Sequence, residues 1–427
     1  MTNECRLSRR AGWAVGQPIR YLMQEALSRP ELISLAAGFV DQETLPLEAT
    51  QAAVDHVLAD RPRAQAALQY TSTMGDAVLR ELLLARLEAA DGAALSGQDL
   101  AIDRVVLTAG SNELLYLLGE ILLDESDIVL CPAPSYFVYL GGLANLGARS
   151  YGVAVDQHGL IPEALEEALQ QLDSSGELPR VKAIYVCTYH DNPSSLTLAA
   201  ERRLQIVETA RRYSRHGTIF VIEDAVYREL RYFGTDIPSL LAADPDGSTV
   251  IHTSSFSKTF SPGLRVGWGI LPTALVEPFC NQKSNIDFGS PHFTQQVMAA
   301  ILQLGLYDQH LDMLRDSYRH KLEAMVGSME EHFRPLSHVS WLPAEGGLYV
   351  WMQVAGVDTG STGPLFRKAL DEGVMYVPGI HCYPQEGEPA RHDMIRLSFG
   401  VQPAERIRAG VASLAQAIEE VSPLPTP

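Results

Sequence analysis

Between residues 104 and 271 the apolar positions form short continuous runs, and longer amphipathic stretches separate these runs. Runs that are apolar throughout, rather than alternating with polar residues, are typical of strands covered on both faces. This order predicts an α/β fold with a doubly wound, mostly parallel sheet and a ligand outside the carboxyl ends of its strands. The predicted strands are residues 104–109, 127–131, 149–155, 181–188, 218–223, 249–254 and 265–271, and the predicted helices between them are residues 112–123, 136–146, 161–172 and 199–216.

The pattern changes after residue 290, where two predicted helices, 292–304 and 307–332, precede a second mixture of strands and helices. The predicted elements of this mixture are residues 348–353, 364–372, 374–377, 394–399 and 403–420. Near the other end of the chain, a helix is predicted at residues 18–28. We therefore expect a large domain and a smaller α/β domain to which the N-terminal segment belongs. The expected divisions are residues 1–47 for the N-terminal segment, 48–315 for the large domain and 316–427 for the small domain.

The composition excludes several classes of protein. Of the 427 residues 46% are hydrophobic and 20% are charged, which is ordinary for a globular protein. No apolar run approaches the ~18 residues that span a membrane, and no apolar secretory signal begins the chain. The formal net charge of −19 argues against nucleic acid or an anionic membrane as a partner. Five widely spaced cysteines without a C-x-x-C pair favour reduced thiols and a cytoplasmic protein.

The chain also lacks three common ligand motifs. It has no G-x-G-x-x-G, no Gly-Lys pair of the kind a P-loop requires, and no H-E-x-x-H. No metal site is expected. The candidate chemistry lies instead in residues 253–269, TSSFSKTFSPGLRVGWG.

Lys258 lies in this segment among hydroxyl side chains, and Arg265 follows seven residues later. A lysine attacks an aldehyde well when its surroundings lower its pKa, and hydroxyls with an arginine suit a phosphate dianion. An aldehyde and a phosphate on one small molecule describe pyridoxal 5′-phosphate (PLP). The segment resembles the PLP-lysine segment of class I/II aminotransferases of fold type I. The alternative is a surface lysine in a Ser-rich loop.

A second motif overlaps the same lysine. Residues 255–258 fit S-x-x-K, the nucleophile motif of serine β-lactamases and penicillin-binding proteins. That family also needs S-D-N and K-T-G elements, and the chain has neither. The sequence therefore favours the PLP interpretation over a serine nucleophile.

The PLP ring makes its own demands. Its nitrogen stays protonated when a carboxylate lies beside it, and Asp224 follows the apolar strand at residues 218–223. The resemblance gives Asp224 this role and makes Tyr227, three residues later, a donor to the ring oxygen. Asn192 matches the asparagine of the family's N-P-T-G element as a ligand of the ring oxygen and of the substrate. The element departs from the pattern, because Ser194-Ser195 replaces Thr-Gly and Asp191 precedes Asn192.

The phosphate needs donors besides Arg265. A predicted strand runs through Gly110 into Ser111 and Asn112 at the start of a helix, where the dipole favours an anion. The resemblance assigns Ser111 and Asn112 to the phosphate site, completed by Ser255, Ser257 and Arg265. Alternatively, Ser111 is an N-cap.

Two aromatic residues extend the resemblance. Tyr136 fits the aromatic that stacks on the ring, with Phe137 and Tyr139 as neighbouring alternatives. Tyr70 matches the tyrosine that reaches the phosphate of the other subunit in these dimers. The resemblance thus implies a homodimer with shared active sites.

An amino acid substrate requires a carboxylate site, for which an arginine fork is well suited. Arg396 lies within an apolar strand, where an unpaired charge is costly. The resemblance makes Arg396 the carboxylate ligand and Gly38 a backbone neighbour of the same group; the alternative for Arg396 is a structural ion pair. Arg20 lies in the segment that covers the substrate in the 2-aminoadipate/kynurenine-type subgroup. It is predicted either to receive a second carboxylate or to be a solvated helix arginine.

Taken over nearly the whole chain, the resemblance implies a PLP-dependent aminotransferase. Lys258 would hold the cofactor as an internal aldimine and move a proton, while an amino group passes between an amino acid and a 2-oxo acid. One alternative is another PLP reaction, such as β-elimination, decarboxylation or racemisation. Another is a PLP-binding sensor like that of MocR-type regulators, which carry a winged-helix domain ahead of the shared signature. Only about thirty residues precede that signature here.

Overall fold

The computed structural model describes residues 6–13, 21, 24, 25, 28, 29, 31–95 and 100–422. Its strands, in chain order, are β1 (Ile33–Ser34), β2 (Val105–Thr108), β3 (Ile128–Ala133), β4 (Arg149–Asp156), β5 (Gly159–Leu160), β6 (Val181–Cys187), β7 (Phe220–Asp224), β8 (Val250–Ser255), β9 (Gly267–Ile270), β10 (Val339–Trp341), β11 (Tyr349–Val354), β12 (Val374–Met375), β13 (Val377–Pro378), β14 (Glu386–Gly387) and β15 (Met394–Ser398). The helices are Arg9–Trp13, Leu47–Leu58, Arg61–Ala67, Ala77–Asp91, Ser111–Leu122, Phe137–Asn145, Pro162–Ser174, Ala200–Tyr213, Thr273–Ile286, His292–Gln303, Leu306–Phe333, Pro364–Asp371 and Ala404–Val421.

The central sheet has the strand order β14-β4-β3-β6-β7-β8-β9-β2, with β5 paired to β4. Strands β14, β4, β3, β6, β7 and β8 are parallel, and β9 runs antiparallel to both of its neighbours. Successive residues of one strand enter different hydrophobic clusters: Val221 belongs to one cluster and Ile222 to the other. Both faces of the sheet are therefore covered. The predicted doubly wound, mostly parallel α/β fold is confirmed.

A second sheet, β10-β11-β15-β13, is antiparallel throughout. A short parallel pair, β1 with β12, joins the N-terminal segment to the C-terminal part of the chain. The expected boundary between residues 315 and 316 lies inside the continuous helix Leu306–Phe333. The division into domains stays a prediction.

Most differences between predicted and observed elements have local causes. The predicted strand 374–377 is two strands, because the chain leaves β12 at the buried Tyr376 and enters another sheet as β13. The helix Thr273–Ile286 was not predicted, and it contains Pro278, a residue that usually breaks a helix. Most of the helix predicted at 18–28 lies outside the described residues. Across the described chain, no helix is both long and apolar enough to cross a membrane.

Candidate active site

A cavity of about 280 Å³ opens at the carboxyl ends of β6, β7 and β8. This is the position predicted for a ligand in a doubly wound sheet. Most of the residues singled out in the sequence line its wall, although they are far apart along the chain. They are Gly38, Ser111, Asn112, Tyr136, Asn192, Asp224, Tyr227, Ser257, Lys258, Arg265 and Arg396.

Lys258 follows the end of β8, and its Nζ donates a hydrogen bond to the carbonyl oxygen of Gly38 at 2.6 Å. Burial lowers the pKa of Lys258. The positive charges of Arg396 and Arg265 lower this pKa further, whereas Tyr349 opposes the shift. A lysine with a lowered pKa is more often neutral, and the neutral amine is the nucleophile.

Asp224 ends β7 and is buried in the wall of the cavity. Its Oδ2 accepts a hydrogen bond from the Tyr185 hydroxyl at 3.0 Å, and its Oδ1 accepts one from the Val226 backbone N–H at 3.3 Å. Burial raises the pKa of Asp224 to about 6, although these two bonds counteract the shift. Asp224 forms no salt bridge within the described residues. A cationic ring nitrogen would supply the missing charge.

Three segments of the chain meet around Arg265 in the cavity wall. Nη2 of Arg265 donates to the Ala109 carbonyl oxygen at 2.7 Å, and Nη1 lies 3.4 Å from the Ser257 hydroxyl. Gly110 has φ +89°, and a Cβ there would come within 2.5 Å of Arg265 Nη2. This close approach therefore needs glycine. The helix Ser111–Leu122 begins at the next residue, so its N-terminus and the guanidinium both favour a phosphate here.

The predicted phosphate ligand Ser255 lies behind Ser257 and does not line the cavity. Its Oγ is 2.9 Å from the Ser257 hydroxyl and accepts the Ser257 backbone N–H at 3.1 Å. Ser255 therefore fixes the position of Ser257. Direct binding of the phosphate by Ser255 stays a prediction.

Arg396 lies in the middle of β15, with only 1% of its surface exposed. Nη1 donates to Asn192 Oδ1 at 2.7 Å and Nη2 to the Ala36 carbonyl oxygen at 2.9 Å. Both acceptors are neutral, and Nε has no hydrogen-bond partner among the described residues. A buried guanidinium without a carboxylate is costly. The arrangement suits a ligand carboxylate.

The loop that carries Asn192 shows how its departure from N-P-T-G is accommodated. Ser195 stands where the pattern has glycine and adopts φ +59°, a left-handed conformation that is uncommon for serine. Its backbone N–H donates to the Asp191 carbonyl oxygen at 2.6 Å, and its hydroxyl donates to the Tyr349 carbonyl oxygen. The Ser194 hydroxyl donates to the buried Asp191 carboxyl at 2.7 Å. The two serines therefore hold the loop through their hydroxyls.

Tyr349 is the main cavity residue that the sequence did not reveal. Its ring centroid lies 4.2 Å from Arg396 Cζ, and its hydroxyl is 3.3 Å from that of Tyr227. A Cβ on Gly38 would lie 3.0 Å from the same hydroxyl. The only local signal was the start of a predicted apolar strand after Gly346-Gly347.

The four aromatic residues named from the sequence have different positions. Tyr136 and Phe137 both line the cavity, whereas Tyr139 stacks on Tyr185 with ring centroids 4.2 Å apart in the core. Tyr70 lies outside the cavity, is 75% exposed and makes an edge contact with Phe288. The prediction for Arg20 falls outside the described residues.

Comparison with known proteins identifies the family of this chain. The family model "Aminotransferase class I and II" matches residues 30–413. The chain is 31% identical to aromatic-amino-acid aminotransferase 1 of Thermococcus litoralis, over 91% of this chain and 88% of the relative. It is also 31% identical to 2-aminoadipate transaminase of Thermus thermophilus, over 96% of this chain and 95% of that protein.

A solved structure extends the likeness to three dimensions. The structure of Pyrococcus horikoshii kynurenine aminotransferase superimposes with a TM-score of 0.88 at 28% identity, over 98% of both chains. That structure contains pyridoxamine phosphate (PMP). These likenesses do not favour the alternative PLP reactions or a sensor role. The chain belongs to the class I and II aminotransferase family and is a PLP-dependent transaminase of fold type I.

Proposed function

We propose that Lys258, Asp224 and Tyr227 carry the catalytic chemistry of this transaminase, and that the cofactor phosphate binds around Arg265. The observation that supports this most strongly is one cavity lined by the amine of Lys258, the carboxyl of Asp224 and the N-terminus of the helix Ser111–Leu122. When bound, PLP supplies a ring that withdraws electrons from the substrate while its nitrogen is protonated.

The predicted site residues then divide the binding of the cofactor among them. Asp224 keeps the proton on the ring nitrogen, and Tyr227 and Asn192 bind the ring oxygen. Tyr136 stacks on the ring. The phosphate is bound by Ser111, Asn112, Tyr70 of the second subunit, Ser255, Ser257 and Arg265. The amine of Lys258, which can lose its proton because its pKa is lowered, carries the proton to and from the substrate Cα.

We propose that the substrate carboxylate binds Arg396, beside Gly38 and Asn192. The positive charges in the described wall are Lys258, Arg265 and Arg396, and each already has a task. The described wall therefore offers no arginine or lysine for a second substrate carboxylate, and Arg20 stays the predicted candidate. Phe39, Phe137 and Val138 add apolar surface for the substrate side chain.

We also propose a cytoplasmic homodimer with shared sites. Tyr70 lies at the surface beside Phe288, which is also exposed. The two rings touch and so form a contiguous exposed apolar patch, and such patches mark interaction surfaces. In support of a reducing compartment, the four cysteines among the described residues are free.

A mixing experiment tests the catalytic role of Lys258 and the sharing of active sites between two subunits. Lys258→Ala is expected to abolish transamination while the phosphate site still binds PLP, and Tyr70→Ala to weaken cofactor binding and activity. Co-expression of the two variants should restore about a quarter of the wild-type activity, because half of the dimers are hybrids with one complete site each. Retained turnover in Lys258→Ala would refute the lysine assignment. Failure of the mixture to exceed the two variants would refute the shared site.

A further inference from the structure

A second phenol, that of Tyr349, lies next to Tyr227 in the cavity wall. The hydroxyls of Tyr227 and Tyr349 are 3.3 Å apart, and the two rings meet edge to face with centroids 6.0 Å apart. Both side chains are buried. Within the described residues, the Tyr349 hydroxyl has this one hydrogen-bond partner.

Several contacts fix Tyr349 in this place. Its ring lies against the Arg396 guanidinium, and its carbonyl oxygen accepts the Ser195 hydroxyl. In the ladder between β11 and β15 it pairs with Ser398. The Gly38 backbone packs close to the Tyr349 hydroxyl, since a Cβ on Gly38 would lie 3.0 Å from it. The Tyr349 hydroxyl is therefore held in one position, as a group that orients another must be.

A pair of phenols can share only one proton between its two oxygens, so one member donates and the other accepts. If Tyr227 gave its proton to Tyr349, it would have none for the cofactor ring oxygen. We propose that the Tyr349 hydroxyl donates to the Tyr227 oxygen and thereby directs the Tyr227 proton to that ring oxygen. The inference rests on the proposed role of Tyr227, and it makes Tyr349 a positioning residue.

This relay of two hydrogen bonds, from Tyr349 to Tyr227 and from Tyr227 to the ring oxygen, has a predictable electrostatic effect. Hydrogen bonds in a chain polarise one another, so a Tyr227 that accepts from Tyr349 is a stronger donor. A stronger donor favours the deprotonated form of the bound cofactor, in which the ring oxygen has the greater negative charge. The charged and titratable groups that share the cavity wall with this pair include Lys258, Arg265, Arg396, Asp224, Tyr136 and Cys187. Replacing a phenol by Phe leaves all of these groups in place.

The test is a pH titration of the visible absorbance of the cofactor-loaded protein. Tyr227→Phe should raise the midpoint, and Tyr349→Phe should raise it by less, about half a unit to one unit. In the Tyr227→Phe background, the further change Tyr349→Phe should leave the midpoint where it is, because Tyr349 acts through Tyr227. Tyr376→Phe is the matched control, since it also removes a buried hydroxyl, one that donates to the Thr359 carbonyl oxygen at 3.0 Å outside the cavity.

The possible outcomes distinguish a failure of the Tyr349 relay from a failure of the proposed role of Tyr227. An unmoved midpoint in Tyr227→Phe would remove the proposed role of Tyr227 and the relay with it. A shift in Tyr227→Phe without one in Tyr349→Phe would overturn the relay alone. A Tyr349→Phe shift that persists in the double variant would also overturn it, because Tyr349 would then act by another route. Melting temperatures of the cofactor-free variants check that all of them fold.

Discussion

Glu223 and Asp224 are consecutive carboxylates on β7, yet they lie in opposite surroundings. Glu223 is satisfied by the chain itself: His252 lies 2.7 Å away, Thr188 donates at 2.9 Å and the Leu240 N–H at 3.0 Å. Burial alone would raise the pKa of Glu223, but His252 and Arg203 bring it down to about 2. Burial raises the pKa of Asp224 to about 6, because its two hydrogen-bond donors are neutral and it forms no salt bridge with a described residue.

Two buried arginines show the same contrast. Arg203 donates to four oxygen atoms, including the Tyr189 hydroxyl at 3.0 Å, and lies 3.7 Å from Glu223. Arg396 is equally buried but has an unpartnered Nε among the described residues and no carboxylate. Glu223 and Arg203, which stabilise the fold, find their charge and hydrogen-bond partners within the chain. Asp224 and Arg396, which line the cavity, leave one negative and one positive group whose partners are expected to be ligands.

The largest expected effect comes from a change to the Asp224 carboxyl in the cavity wall. Asp224→Asn keeps the size of the side chain but removes the charge that would hold the ring proton. We expect kcat to fall at least about 100-fold. Steady-state kinetics with saturating cofactor measure it. Near wild-type kcat would show that Asp224 is not the ring partner.

The next largest effect is expected on stability, from a change to the buried Glu223 carboxylate. Glu223→Gln leaves Arg203 and His252 without their buried carboxylate, and loss of one partner of a buried pair costs about 3 to 5 kcal/mol. Denaturant unfolding of the cofactor-free protein should show this drop in the free energy of unfolding. If Glu223→Gln lowered kcat as much as Asp224→Asn while leaving stability unchanged, the proposed division between the two residues would be wrong.

The smallest effect is expected in the pH dependence of stability, which reports the difference between Asp224 and Glu223. The pKa of Asp224 rises from 3.8 to about 6, so the folded chain binds the extra proton and the stability of the cofactor-free protein falls as pH rises from about 4 to 6. The cost above pH 6 is at most about 3 kcal/mol. Asp224→Asn should therefore match the wild type near pH 4 and be more stable at pH 8. Equal stability at both pH values would contradict the raised pKa.

Much of this could be predicted from the sequence because it depends on local order along the chain. Continuous apolar runs predicted the buried strands. The family resemblance, in which Tyr follows Asp three residues later, made Asp224 the predicted ring partner. Tyr349 could not be found this way, because its place depends on the register between β11 and β15. The position of Ser255 behind Ser257 depends on the path of the turn after β8. Such features arise from tertiary contacts rather than from local pattern.

The most direct test of the account is to reduce the cofactor-loaded protein with borohydride and map the modified peptide by mass spectrometry. Reduction fixes an imine between lysine and PLP as a stable bond. We expect the cofactor mass on Lys258 and on no other lysine, including the buried Lys283 and Lys321. Cofactor attached to another lysine, or none attached at all, would contradict the site described.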